Sequence, residues 1–285
     1  MVSVKYIALL LVFIACAPRT ARSRPADESR EAGGSLFAQS SARALDQEFP
    51  NHDISYLLLD ARSGRLLASR WKDPYAPVPL GSLTKPFAAL AYGQLHNFQY
   101  PAHTCRGSRT GCWRPGGHGA VDVTSAIANS CNSYFRMLTA DLTAADMSAT
   151  AGRFGLDPPD QEVNGAELAG LGASWRISPL RMARAYVELA HQRRMSGVQQ
   201  ILDGMAESAR SGTGAGVDRA LPMPNALAKT GTAICTHSPH APGDGFAITL
   251  IPEDDPKILL LVRVHGVPGA EAAKIAGQML RRIEE

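Results

Sequence analysis

Runs of strand-forming residues lie toward both ends of this chain, and helical patterns fill its middle. Ile54 to Asp60 is such a run, and Arg65 to Ser69 follows across a Ser-Gly turn, so the two predict a hairpin. Ser82 to about His96, rich in alanine, leucine and phenylalanine, predicts a helix with Ser82 as its N-cap and Pro86 in the first turn, where a missing N–H costs least. Gln99 to Gly119 is a loop with two cysteines and many glycines. Val123 to Leu138 is helical in pattern, interrupted over Asn129 to Asn132 by a turn. Leu142 to Phe154 and Leu180 to Gln192 predict further helices, with an irregular connector from Asp157 to Leu171. Ile201 to Ala209 predicts a short helix before a glycine-rich loop at 212–216. Strands return at Ala226 to Ile234, Gly245 to Ile251 and Ile258 to Val264, the last two joined by Pro252-Glu253-Asp254-Asp255-Pro256, and Ala270 to Glu285 closes as an amphipathic helix. The expected fold class is mixed α/β: an antiparallel β-sheet flanked by helices, plus an all-helical lobe over about 86–210. A cleft is expected where the two lobes meet.

The first residues change this picture. Lys5 followed by the apolar run Tyr6 to Ala15, broken at Pro18 and Arg19, is too short to span a bilayer and reads as an export signal over 1–17. Ala15-Cys16-Ala17 allows ordinary cleavage or a lipoprotein-type cut that leaves a lipid on Cys16 as a membrane tether. Residues 18–45 are polar and charged and read as a tether, leaving 46–285 as the folded domain. Apolar content of 45% suits a globular protein, and a net charge of +3 carried by scattered basic residues argues against nucleic acid as a partner. An exported chain can form disulfides. Cys105 and Cys112 are near enough in sequence to pair or to stay as free thiols; a zinc site with His118 ranks behind both, because the spacing matches no common zinc pattern.

The chemistry lies in three motifs in one order: Ser82-Leu83-Thr84-Lys85, Ser130-Cys131-Asn132 and Lys229-Thr230-Gly231-Thr232. Alone, each has a plain structural reading: a helix cap, a surface lysine, a capping asparagine, a charged edge strand. Together they supply the parts of an acyl-transfer site. Ser82 is the candidate nucleophile and Lys85, one helical turn on, its base, provided burial and the cation of Lys229 lower its pKa. Ser130 can pass a proton to a leaving amine. Asn132 suits a peptide amide, Lys229 a carboxylate, and the hydroxyls of Thr230 and Thr232 can assist. The backbone N–H groups of Ser82 and Thr232 are candidates for an oxyanion hole. Gly231 is expected to keep the strand clear for substrate. None of these roles needs a metal or a cofactor. Ser82 lies in no G-x-S-x-G elbow, and the glycine-rich 212–216 lacks the lysine of a phosphate loop.

With these motifs, the chain from about Ser55 onward resembles the transpeptidase domain of penicillin-binding proteins, in the superfamily of serine D,D-peptidases and serine β-lactamases. Asp60-Ala61-Arg62-Ser63-Gly64-Arg65-Leu66-Leu67-Ala68 is similar to the family's opening hairpin, Gly116-Gly117-His118-Gly119-Ala120-Val121-Asp122 to the approach to its second motif, and Ile177-Ser178-Pro179-Leu180-Arg181-Met182-Ala183 to its core helix. The resemblance implies a periplasmic or otherwise extracytoplasmic enzyme whose Ser82 is acylated by the D-Ala-D-Ala end of peptidoglycan stem peptides, with β-lactams as inhibitors. It leaves transpeptidase and carboxypeptidase open. Against the family's pattern, the chain is expected to lack a preceding pedestal or glycosyltransferase domain, and its stretch from Asn132 to Lys229 is short. A serine β-lactamase is the neighbouring alternative. Its deacylating glutamate has only Asp160-Gln161-Glu162-Val163-Asn164 as a counterpart here. A non-catalytic penicillin- or stem-peptide-binding scaffold is the third reading.

Overall fold

The computed structural model describes residues 25–236 and 243–285; the expected leader over 1–17, Cys16 included, lies outside them. In chain order the elements are α1 (Pro25–Glu48), β1 (Ile54–Asp60), β2 (Leu66–Arg70), a 3-10 turn (Gly81–Thr84), α2 (Lys85–Leu95), β3 (His103–Cys105), β4 (Gly119–Val121), α3 (Val123–Ala128), α4 (Asn132–Leu138), α5 (Ala144–Phe154), α6 (Gly165–Leu168), α7 (Pro179–His191), α8 (Val198–Arg210), α9 (Gly216–Ala220), β5 (Leu227–Ala233), β6 (Asp244–Ile251), β7 (Ile258–His265) and α10 (Gly269–Glu284).

Five strands form one antiparallel sheet in the order β2-β1-β7-β6-β5. The first hairpin thus joins the last strands through β1 and β7, with Leu57 opposite Leu261. Strand periodicity divides the apolar side chains between two cores. Leu57, Leu59, Ile248 and Leu261 face the helical lobe, where they join Leu83 and Phe87. Tyr56, Leu58, Leu260 and Val262 face the other way, against Leu45, Ala276 and Met279 of α1 and α10. The lobe is mainly helical but also carries the two-stranded sheet β3-β4, inside what the sequence presents as a loop.

The tether expected over 18–45 is corrected in its described part, since Pro25–Glu48 is helical. Phe37, Ser41, Leu45 and Phe49 recur every fourth residue, which places them on one helical face. Leu45 and Ser41 are buried, and Phe37 and Phe49 pack on the second core. Among the described residues no helix is long and apolar enough to cross a membrane.

Candidate active site

Ser82 sits in the middle of the 3-10 turn, which corrects its expected place as a helix N-cap: the α-helical residues start at Lys85 and follow Thr84 as N-cap. Pro86 falls in the first turn, as expected. Backbone packing fixes the turn. Gly81 has φ 55°, a left-handed value that favours glycine. A Cβ there would lie 2.3 Å from the carbonyl oxygen of Thr232. A Cβ on Gly231 would lie 2.6 Å from the carbonyl oxygen of Leu80, and Gly231's other face carries Gly269, whose own Cβ would meet its carbonyl oxygen at 2.4 Å. Gly231 is therefore glycine because the Ser82 turn and the start of α10 both close on it, a reason different from the substrate clearance read from the sequence. From below, the buried Tyr186 hydroxyl donates to Leu83 O at 2.8 Å, while its ring meets Phe87 edge to face.

The second motif occupies the break between α3 and α4. Ser130 has φ 48°, a strained value for a residue with a side chain, and is 6% exposed. Asp122 caps the start of α3 through a reciprocal bond with Ser125, and Cys131 stands at the N-cap position of α4 without a side-chain cap bond, so the break lies between the end of one helix and the start of the next. Lys85 and Lys229, both fully buried, converge on it. Lys85 Nζ donates to Ser130 O at 2.9 Å, Ser130 Oγ at 3.3 Å and Asn132 Oδ1 at 2.6 Å. Lys229 Nζ donates to Ser130 Oγ at 3.0 Å and to Thr230 O at 2.7 Å. Two accepted bonds use both lone pairs of the Ser130 hydroxyl and leave its proton free to donate elsewhere. Burial lowers Lys85 from 10.5 to about 7. Burial, and then the neighbouring Lys85 ammonium, holds Lys229 well below the usual lysine range. Lys85, read from the sequence as within reach of the Ser82 oxygen, makes its hydrogen bonds to Ser130 and Asn132.

Ser82, Ser130, Asn132, Thr230, Gly231 and Thr232 line one cavity of about 500 Å³ between the lobes, with Lys85 and Lys229 beneath it. β5 is an edge strand, so its outer side can pair with an extended peptide. Thr230 Oγ1 donates to Thr213 Oγ1 at 2.6 Å, and the Thr232 hydroxyl accepts from the Gly269 N–H at 2.9 Å. Thr213, Trp113, Arg136 and Leu171 also line the cavity and escape the motif reading. Only Trp113 carries a sequence signal, an aromatic residue in a glycine-rich loop; it is 54% exposed and donates to Ser130 O at 3.2 Å. None of the described lining residues carries a carboxylate. Glu167, the acid nearest in sequence to the Leu171 wall, is used in capping α6 through Asn164.

Cys105 and Cys112 are free thiols, and the disulfide allowed by their spacing is not formed.

The family model for the penicillin binding protein transpeptidase domain matches residues 49–285. The chain therefore belongs to the penicillin-binding protein transpeptidase domain family. Solved structures share the fold. The Helicobacter pylori penicillin-binding protein PBP2, in its complex with MreC, aligns with TM-score 0.71 at 18% identity over 85% of this chain, which spans 62% of that protein's chain. The transpeptidase domain of Burkholderia pseudomallei penicillin-binding protein 3 aligns with TM-score 0.68 at 17% identity, over 89% of this chain and 92% of that one. The D,D-transpeptidase domain of an Eggerthella lenta peptidoglycan glycosyltransferase gives TM-score 0.68 at 15% identity, over 85% and 80%. No curated protein sequence matches the chain.

Proposed function

We propose that this protein is an extracytoplasmic, penicillin-binding serine acyltransferase of peptidoglycan, acting on D-Ala-D-Ala stem peptides as a D,D-transpeptidase or D,D-carboxypeptidase. Export through the 1–17 leader, with Cys16 as a lipid site, is part of this reading. The observation that carries it is the meeting of Lys85 and Lys229 on Ser130 Oγ, at 3.3 and 3.0 Å, at the wall of the cavity that Ser82 lines.

In this mechanism the stem peptide lies along the edge of β5, its terminal carboxylate toward Lys229 and the hydroxyls of Thr230 and Thr232, and its amide toward Asn132. Lys85, once it has lost a proton and with it one of its three donated bonds, takes the Ser82 proton as Oγ attacks the penultimate carbonyl. The N–H groups of Ser82 and Thr232 receive the oxyanion; such a donor is worth roughly 100- to 1000-fold in rate. Ser130 gives its proton to the departing D-Ala nitrogen as the C–N bond breaks, and Lys85 returns a proton to Ser130. An amine or water then takes the acyl group from Ser82. Among the described residues the cavity lining holds no carboxylate to serve as a dedicated deacylating base, which favours a long-lived acyl-enzyme over β-lactamase turnover.

The test is D-alanine release from a peptide ending in D-Ala-D-Ala, with and without an amino acceptor. Release that depends on Ser82 supports the reading, and a cross-linked product separates transpeptidase from carboxypeptidase. No release, with a penicillin hydrolysed catalytically, overturns it in favour of a β-lactamase.

A further inference from the structure

Beside the acyl-transfer cavity, the fold gathers four side chains that the proposed reaction does not use. Cys105 ends β3, Cys112 and His118 follow in the loop to β4, and Cys131 lies between Ser130 and Asn132. One donor atom from each falls within 4.8 Å of all the others. Cys105 Sγ is 3.6 Å and Cys112 Sγ 3.5 Å from His118 Nδ1, and Cys112 Sγ is 3.9 Å from Cys131 Sγ.

These three distances match edges of a metal tetrahedron, and the other three edges are within 4.8 Å. With zinc–sulfur bonds of about 2.3 Å and zinc–nitrogen bonds of about 2.0–2.1 Å, a regular site has S–S edges of about 3.8 Å and S–N edges of about 3.5 Å. We infer that Cys105, Cys112, His118 and Cys131 form a structural zinc site that ties the 105–118 loop to the Ser130-Cys131-Asn132 turn.

Oxidation fits this arrangement less well. Three thiols around one imidazole cannot all pair in disulfides, and the fourth described cysteine, Cys235, belongs to a separate group with Asp244 and His265. All three cysteines are buried, at 2%, 6% and 0% exposure, as a closed structural site requires. Backbone contacts also shape the loop. Gly117 has φ 78°, and a Cβ on it would lie 2.3 Å from Cys105 O. Cys112 N donates to Gly107 O at 3.1 Å, and Trp113 sets its ring edge against His118 while bonding Ser130 O. His118 presents Nδ1 to the sulfurs, and a metal bound there would leave its proton on Nε2, which is buried without a hydrogen-bond partner. Binding Zn²⁺ would release three thiol protons to solvent and leave a site of net charge −1.

The consequence is positional. Cys131 is the N-cap of α4, and its neighbour Ser130 is held at φ 48°. A metal bond at Cys131 would hold that strained residue where Lys85 and Lys229 meet it. The sequence hides the site because its fourth ligand lies inside a motif with another evident use.

The test needs no catalytic assay. The full chain is purified under reducing conditions, stripped with a chelator and titrated with Co²⁺. The expected result is about one equivalent bound, with intense thiolate-to-cobalt charge transfer and tetrahedral d–d bands, displaced by Zn²⁺. Zn²⁺ should also raise the thermal midpoint by several degrees. Cys112→Ser should weaken Co²⁺ binding by at least about tenfold and reduce the charge-transfer band, while Cys235→Ser leaves both unchanged. Should Cys112→Ser fail to fold, the wild-type spectrum decides alone. A wild-type chain that shows no thiolate–cobalt bands, a spectrum abolished by Cys235→Ser, or a Cys105–Cys112 disulfide in the exported protein would overturn the site.

Discussion

Replacing Gly81 by alanine tests how far the catalytic turn depends on its seat against β5. Two costs arise. A side chain at φ 55° is strained by about 1–2 kcal/mol. The added carbon would also lie 2.3 Å from the Thr232 carbonyl oxygen and 2.7 Å from its carbonyl carbon. These are backbone atoms that cannot rotate aside. Relief to 3.0 Å requires the turn and strand to part by about 0.7 Å. With overpacking at roughly 1–3 kcal/mol, the total loss of stability is about 2–5 kcal/mol. Ser82 is the next residue, and Thr232 carries the second proposed oxyanion donor, so the displacement falls between nucleophile and oxyanion site. A misplacement approaching 1 Å costs about 100-fold in rate. The assay is the time course of labelling by a fluorescent penicillin, with the melting midpoint measured in parallel. Gly155→Ala is the control, since Gly155 has φ 69° with nothing within 4 Å of a Cβ, and so carries strain without displacement. Labelling of Gly81→Ala within about twofold of wild type would refute the account of the turn.

Other outcomes follow from the same geometry. Acylation should fall as pH drops through about 7, where burial has brought Lys85, because the neutral amine is the proposed base; a pH–rate profile with no such limb would count against it. Between about 7 and 10.5 the unfolded chain holds a Lys85 proton that the folded chain lacks, so stability rises with pH across that window. The penalty, about 5 kcal/mol, is full below pH 7. Lys85→Met should therefore raise the melting midpoint at mildly acidic pH and flatten its rise with pH, even as acylation is lost. Ser130→Ala should slow acylation by about 100- to 10,000-fold, the usual worth of a positioned acid–base group, as read from single-turnover labelling. Tyr186→Phe leaves the buried Leu83 carbonyl without its donor and should cost about 1–3 kcal/mol in denaturant unfolding.

What the sequence discloses follows from where its signals are local. β1, β6 and β7 are apolar runs bounded by turns, and both hairpin positions are read within a residue or two. The interruption at Asn129 to Asn132 marks the break between α3 and α4. The three motifs name the residues that the fold brings to one cavity. Nonlocal contacts are where the reading falls short. β3 and β4 are three residues each, too short for an alternating pattern. The buried face of α1 shows only when Phe37, Ser41, Leu45 and Phe49 are taken together across the end of the polar stretch. The reason for Gly231 depends on Leu80 and Gly269, distant in sequence and adjacent in space. The meeting of Cys131 with Cys105, Cys112 and His118 is equally nonlocal.

The most direct test of the central claim is intact mass during incubation with a penicillin, wild type beside Ser82→Ala. The account predicts a single adduct of one drug molecule that persists for hours on wild type and is absent from Ser82→Ala. An adduct that clears with continued drug hydrolysis, one that survives in Ser82→Ala, or none at all would contradict it.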